Sequence, residues 1–108
     1  MPLTITDLME RMPGAFLPEK AGDADVVIQF HFTGDQESSW HADIKDGACT
    51  VEQGEAENPT LTLTAEAQDY IDVITGKLDG MKAFMQGKLK LAGDLNLAMK
   101  MMNFFKLN

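Results

Sequence analysis

The spacing of hydrophobic and polar positions changes along this chain, and each change marks a border between strand and helix. Apolar residues at every second position are typical of half-buried strands. This alternation predicts five strands, at residues 25–33, 39–45, the stretch after Asp46-Gly47, 60–64 and 88–91. Apolar residues three and four positions apart are typical of helices that pack on a core. That spacing predicts helices at residues 4–12, 66–75, about 80–86, and from Asp94 onward.

Short polar and glycine signals bound these elements. Thr4 or Thr6 can cap the first helix, and Pro13-Gly14 is predicted to end it. Gly76 suits the end of the second helix, and Asp94 suits the start of the last one. The helix boundaries therefore follow from local chemistry as well as from periodicity.

Asp46-Gly47 is a strong signal for a two-residue hairpin turn. Pairing Lys45 with Ala48 across this turn places Ile44 opposite Cys49, and the next apolar pair falls on the same face. Because the register and the alternation agree, we predict an antiparallel hairpin here.

Every predicted strand has one apolar face and one polar face. Such a sheet is covered on one side only, so the helices must stack on a single face. A chain of 108 residues forms one domain by length. We therefore predict a single domain over residues 1–108 with a two-layer α+β fold.

The last helix is more apolar than packing against one sheet requires. Its apolar side chains span roughly 220° of the circumference, against the ~100° of a typical surface helix. One stripe can pack on the sheet and a second needs another apolar partner; the first is Leu95, Ala98, Met102 and Phe105, the second Leu97, Met101 and Phe104. The rest of the core, a second subunit or a bound lipid can supply that partner. Methionine is flexible and polarisable, so it suits adaptable binding surfaces as well as irregular core gaps.

The net charge of −8 is distributed unevenly. Residues 1–75 carry 15 acidic and 3 basic side chains, whereas residues 76–108 carry 6 lysines and 2 aspartates. An acidic surface does not attract phosphates, which excludes nucleic acid as a partner. The basic and apolar last third suits a carboxylate, CoA phosphates or an anionic membrane surface.

Targeting signals are missing from the sequence. The N-terminus lacks the basic start and apolar run of a signal peptide, and no apolar run approaches 18 residues. The C-terminal residues 106–108 do not form a peroxisomal address. Cys49 is the single cysteine, which fits a reducing compartment. We expect a cytoplasmic protein.

Residues 76–94 read GKLDGMKAFMQGKLKLAGD and precede the apolar helix. This segment resembles the C-terminal signature of the sterol carrier protein type 2 family, the non-specific lipid-transfer proteins, in its free-standing prokaryotic form. The upstream helix, the three strands with Trp40, Pro59 and the Leu-Thr-Leu-Thr run at 61–64 also fit. The resemblance implies a five-stranded mixed sheet in which a crossover places the fourth strand beside the first. It also implies a tunnel between sheet and helices for sterols, fatty acids or fatty acyl-CoA.

We therefore predict a non-enzymatic module, without a cofactor, that binds apolar lipids and is a candidate for their transfer. The predicted lipid-binding residues are Phe30, Phe32, Trp40, Phe84, Met85, Leu91, Leu95, Met99, Met101, Met102 and Phe105. The predicted contacts to a headgroup or membrane are Lys82, Lys88, Lys90 and Lys100. The alternative is an interaction protein that uses its last helix to form a homodimer, so the chain is predicted to be a monomer or a homodimer.

Other candidate sites have weaker support. If Phe32 opposes Trp40, His31 lies opposite His41 on the wet face, but two histidines without a third ligand do not make a metal site. We therefore predict no metal, and leave any role of the two histidines open. Cys49 alternates onto the apolar face, which favours a buried structural residue over a nucleophile. No catalytic or phosphate-binding motif is present.

Overall fold

The computed structural model describes residues 4–101, 104 and 105. The helices are α1 (Ile5–Ala15), α2 (Pro18–Ala21), α3 (Ala67–Ile74), α4 (Gly80–Met85) and α5 (Leu95–Met101). The strands are β1 (Val26–Thr33), β2 (Ser38–Lys45), β3 (Ala48–Gln53), β4 (Leu61–Glu66) and β5 (Leu89–Gly93). These bounds confirm the five strands and the four longer helices that the periodicity predicts. The short helix α2 was not predicted.

The five strands form one mixed sheet in the order β3-β2-β1-β4-β5. Strands β1 and β4 are parallel, and the other three pairs are antiparallel. The chain therefore crosses over after β3 to place β4 beside β1, as the family resemblance implies. The hairpin register is also confirmed, because Lys45 pairs with Ala48 and Ile44 with Cys49.

The register between β1 and β2 differs from the one in which Phe32 opposes Trp40. Trp40 pairs with Phe30 rather than with Phe32, which pairs with Ser38. The two registers differ by two residues, so both keep the apolar side chains on one face and the alternation cannot separate them. A single 3₁₀ turn at Gly34–Gln36 joins the strands and decides the register. His41 consequently lies opposite Gln29 and not opposite His31.

Helix α1 is longer than predicted at its C-terminal end. Thr4 and Asp7 form a reciprocal capping box at its start, in which each side chain accepts a hydrogen bond from the other residue's backbone N–H. Pro13 was predicted to end the helix but lies within it, and the helix continues to Ala15. Pro13 cannot donate the helical hydrogen bond to the Met9 carbonyl oxygen, yet the helix continues for three residues, almost one turn, beyond the predicted end.

The helices pack on one face of the sheet and form the second layer. Helix α1 packs near β3, α3 and α5 pack against β4, and α4 packs against β5. The core between the layers contains three of the largest fully buried side chains, Phe30, Phe32 and Met9. This arrangement confirms the predicted two-layer α+β class.

The opposite face of the sheet is covered where the β3–β4 crossover passes over it. Gln29 lies there and is only 2% exposed. Its side-chain amide donates to the carbonyl oxygens of Trp40 and Gly54, at 3.0 and 3.2 Å, and accepts from the backbone N–H of Ala56 at 2.7 Å. One buried amide thus joins β1 and β2 to the crossover.

Candidate functional site

A cavity of about 730 Å³ lies between the sheet and the helices. Leu63, Leu89 and Leu91 of the sheet line one side of it. The wall from α1 is Leu8, Met9, Met12 and Ala15, and the wall from α3 is Tyr70, Val73 and Ile74. These side chains are mostly hydrocarbon, so the cavity suits an apolar guest rather than a polar one.

The mouth of this cavity is lined by apolar side chains of α4 and α5 that remain in contact with solvent. Met81 and Phe84 of α4 are 60% and 42% exposed, and Leu95 and Met99 of α5 are 51% and 70% exposed. Exposed side chains of this size, grouped at one opening, are a feature of binding sites rather than of a finished core.

The start of α5 decides which of its faces points toward the sheet. The Asp94 carboxylate accepts hydrogen bonds from the backbone N–H groups of Asn96 and Leu97, at 3.0 and 3.2 Å, so the predicted cap is confirmed. The stripe assignment holds only in part, because Leu97 is buried and Leu95 is half exposed, whereas Phe104 and Phe105, one from each stripe, are both buried and lie beyond the end of α5. Both stripes are apolar, so periodicity alone does not show that Leu97 rather than Leu95 is buried.

Five residues of the predicted lipid-binding set line the cavity: Phe84, Leu91, Leu95, Met99 and Phe105. Four others lie elsewhere, since Phe30, Phe32 and Trp40 are buried in the core and Met85 is 78% exposed without lining the cavity. Core and cavity residues share one apolar face of the sheet, and only the placement of the helices separates them. The side chain of Met101 and the whole of Met102 lie outside the described residues.

None of the four predicted headgroup lysines lines the cavity within the described part of the chain. Lys82 and Lys100 are exposed on α4 and α5, next to residues of the mouth. Lys90 alternates with Leu89 and Leu91 along β5, so it points to the opposite face of the sheet. Among the residues that the structure describes, the cation that lines the cavity is Arg11, exposed on α1.

Sequence reasoning missed the contribution of α1 and α3 to this cavity. Arg11, Leu8 and Tyr70 belong to helices that the periodicity correctly predicts to face the sheet. The pattern has no separate signal for a helix that faces a cavity rather than a packed core, since both demand an apolar stripe. Arg11 lies at the edge of the apolar stripe of α1, where a charged side chain is ordinary and gives no separate signal.

Cys49 and His41 lie on opposite faces of the sheet and neither is part of the cavity lining. Burial, with a smaller contribution from Asp43, raises the pKa of the Cys49 thiol to about 11, so the thiol is unreactive at neutral pH. His41 lies 3.9 Å from Glu52 across β2 and β3, as the hairpin register predicts. Among the described residues, no group of three or more histidine, cysteine or carboxylate side chains is arranged to bind a metal ion.

A mixed five-stranded sheet with one helical layer and an apolar cavity between the layers defines an α+β domain with an internal apolar site. The chain belongs to the SCP-2 sterol transfer family, whose model matches residues 9–106. This match confirms the family resemblance of the segment at residues 76–94.

Named relatives support the same assignment. The chain is 36% identical over 76 residues to hydroxysteroid dehydrogenase-like protein 2 of Xenopus tropicalis, covering 69% of this chain and 18% of that protein. It is 37% identical over 70 residues to human sterol carrier protein 2, covering 65% and 13%. The solution structure of palmitated SCP2L2 from Aedes aegypti is similar with a TM-score of 0.77 and 27% identity, over 92% of this chain and 91% of that one.

The chain spans less than a fifth of the curated relatives named above. The similarity therefore concerns one domain of those longer proteins and not their other activities. Within the part of the chain that the structure describes, every helix is too short or too polar to cross a membrane.

Proposed function

We propose that this domain binds the hydrocarbon chain of a lipid, without catalysis, in the cavity between its sheet and its helices. The observation that carries the proposal is the cavity of about 730 Å³ with an apolar lining and an exposed apolar mouth. Membership of a sterol transfer family and the similarity to a palmitated structure support it.

The hydrophobic effect supplies the binding energy. Transfer of a chain of about 16 carbons out of water gains roughly 12 kcal/mol, at ~0.8 kcal/mol for each CH₂ group. Ordering of the chain and loss of free motion offset much of this gain. Because the gain is not directional, we expect fatty acids, fatty acyl-CoA and sterol-like lipids to compete for one site with modest differences in affinity.

Arg11 is the side chain best placed to bind a fatty-acid carboxylate. It is exposed while lining the cavity, so it can meet a charged group that stays near water. A guanidinium binds a carboxylate through two parallel hydrogen bonds. Arg11→Gln should therefore weaken binding of palmitate several-fold and leave binding of palmitate methyl ester nearly unchanged.

The test is displacement of a fluorescent fatty acid by palmitate from the wild type and from two variants. Ala98→Trp introduces a large side chain into the lining of the cavity, whereas Ala48→Trp places the same side chain on an exposed position of β3. We expect at least a ten-fold loss of affinity in Ala98→Trp and none in Ala48→Trp. Equal affinities in both variants would contradict binding in this cavity.

The mouth of the cavity is proposed to rest on an anionic membrane surface during loading. Met81, Phe84 and Met99 offer exposed apolar area there, and Lys82 and Lys100 lie beside them in the basic last third of the chain. Each lysine near such a surface contributes about 1 kcal/mol.

Vesicles with and without phosphatidylserine, in low and high salt, test this orientation. Lys82→Gln with Lys100→Gln should reduce sedimentation with the anionic vesicles at low salt, and Lys90→Gln, on the other face of the sheet, should not. If Lys90→Gln weakens the association as much as the double variant does, the proposed orientation is wrong.

Contact with a second subunit is the alternative use of the exposed apolar side chains. Family membership favours a lipid ligand over this alternative. Light scattering before and after removal of lipid distinguishes a lipid ligand from a second subunit. A dimer that depends on protein concentration and contains no extractable lipid would support contact with a second subunit. The cytoplasmic location stays a prediction.

A further inference from the structure

Tyr70 places a polar group in a part of the cavity wall that is otherwise hydrocarbon. The side chain is 4% exposed and lines the cavity. Its ring packs against two side chains of β1, with centroid distances of 5.9 Å to Phe30 and 5.1 Å to Phe32. Because β1 is the central strand, Tyr70 lies over the middle of the sheet.

The Tyr70 hydroxyl has no hydrogen-bond partner among the described residues. No side-chain oxygen in this part of the chain is both sealed from solvent and without a partner. The space that the Tyr70 side chain borders is the cavity. Burial raises the pKa of this hydroxyl, so it keeps its proton and remains a donor at neutral pH.

The other polar side chains of the lining differ from Tyr70 in their exposure. Arg11, Thr75 and Asp79 are all exposed to solvent. The Thr75 hydroxyl already donates to the Ile71 carbonyl oxygen at 2.7 Å, and the Asp79 carboxylate accepts from the backbone N–H of Met81. Among the described residues of the lining, Tyr70 is therefore the polar side chain that is buried rather than exposed.

We propose that Tyr70 selects lipids with an oxygen atom along the body of the chain, such as hydroxy or keto fatty acids, over plain saturated chains. The inference rests on the proposed function, because it assumes that a lipid occupies this cavity. A plain alkyl chain that covers the hydroxyl removes its contact with water and offers no acceptor in return. A hydroxyl or keto oxygen at the matching position accepts the Tyr70 hydrogen bond instead.

Two proteins and a series of lipids test the proposal. Tyr70→Phe keeps the ring that packs on Phe30 and Phe32 and removes the oxygen alone. Affinities of both proteins are measured for stearic acid and for hydroxystearic acids that carry the hydroxyl at successive carbons, by displacement of a fluorescent fatty acid. Urea unfolding of both proteins shows that the variant is folded.

For at least one hydroxyl position, we expect the preference over stearic acid to fall about five-fold in Tyr70→Phe, as the loss of one hydrogen bond predicts. Equal preferences in the two proteins at every position, with stearic acid bound normally, would overturn the role of Tyr70 and leave the proposed function standing. Failure of the wild type to bind any of these lipids would overturn the proposed function together with this inference.

Discussion

Replacing Gly93 with alanine tests how the end of β5 positions α5 and, through it, the mouth of the cavity. Gly93 has a φ of +106°, beyond the left-handed region that residues with a Cβ tolerate. A Cβ built there would lie 2.5 Å from the Thr60 carbonyl oxygen and 3.2 Å from the Leu61 Cα. Both are backbone atoms, in Thr60 just before β4 and in Leu61 at its start, so no side chain can rotate away to relieve the contact.

The cost of this substitution has two parts. The unfavourable backbone conformation costs about 1–3 kcal/mol. Pushing β5 away from β4 costs a similar ~1–3 kcal/mol, and it also lengthens the 3.0 Å hydrogen bond from the Asp94 N–H to the Thr60 carbonyl oxygen. We expect Gly93→Ala to lower the free energy of unfolding by about 4 kcal/mol, a large part of the 5–15 kcal/mol of a typical domain.

Urea unfolding followed by the fluorescence of the buried Trp40 measures this change. At a slope of about 2 kcal/mol/M, the midpoint should fall by about 2 M. Gly14→Ala is the matched control, because a Cβ at that helical position meets nothing within 4 Å. The control should raise stability by about 0.5–1 kcal/mol.

The two variants together decide whether the argument is correct. If Gly93→Ala unfolds at the same urea concentration as the wild type, the close approach of Gly93 to Thr60 is not present in solution. If it is destabilised but binds lipid with wild-type affinity, the position of α5 does not depend on this turn.

Three further substitutions probe the rest of the fold. Gln29→Leu leaves the Gly54 carbonyl and the Ala56 N–H of the crossover without their hydrogen-bond partner and should cost about 2–3 kcal/mol. Hydrogen exchange at the Ala56 amide should become faster, and unchanged exchange would argue against the role of Gln29. Thr4→Ala should cost about 1 kcal/mol. The pKa of Asp7 should rise only part of the way to its ordinary value in this variant, because the backbone N–H of residue 4, which lowers that pKa most, remains and only the side-chain hydrogen bond is lost; NMR titration can show this. Burial raises the pKa of the Cys49 thiol from 9.0 to about 11, so ionisation of this thiol in the unfolded chain lowers the free energy of unfolding as the pH rises from 9 toward 11 and has no effect below pH 9. Cys49→Ala should reduce this fall in urea midpoints measured from pH 7 to 11.

The sequence predicts most of the elements because their signals are local. Alternation along the strands, the Asp46-Gly47 turn and the Asp94 cap each depend on residues within a few positions of one another. The capping box of Thr4 is equally local. Physical preferences of this range act before any tertiary contact forms, so they can be recognised without a structure.

Other features depend on how the elements meet, and only the tertiary structure decided them. The β1–β2 register is one, because a shift of two residues leaves the apolar face of Phe30 and Phe32 unchanged. The orientation of α5 is another, because Leu95 and Leu97 are both apolar and only the structure shows that Leu97 is the buried one.

The sequence also does not show which apolar residues line the cavity and which pack in the core. Phe30 and Leu91 belong to the same apolar face of the sheet, yet only Leu91 lines the cavity. Arg11 and Tyr70 were not distinguished from ordinary helix residues until α1 and α3 were seen to enclose a space. The apolar pattern by itself determined which surfaces avoid water. The tertiary structure decided where protein atoms fill the space between those surfaces and where they leave it open, because that depends on the separation of the two layers and not on the order of residues in either.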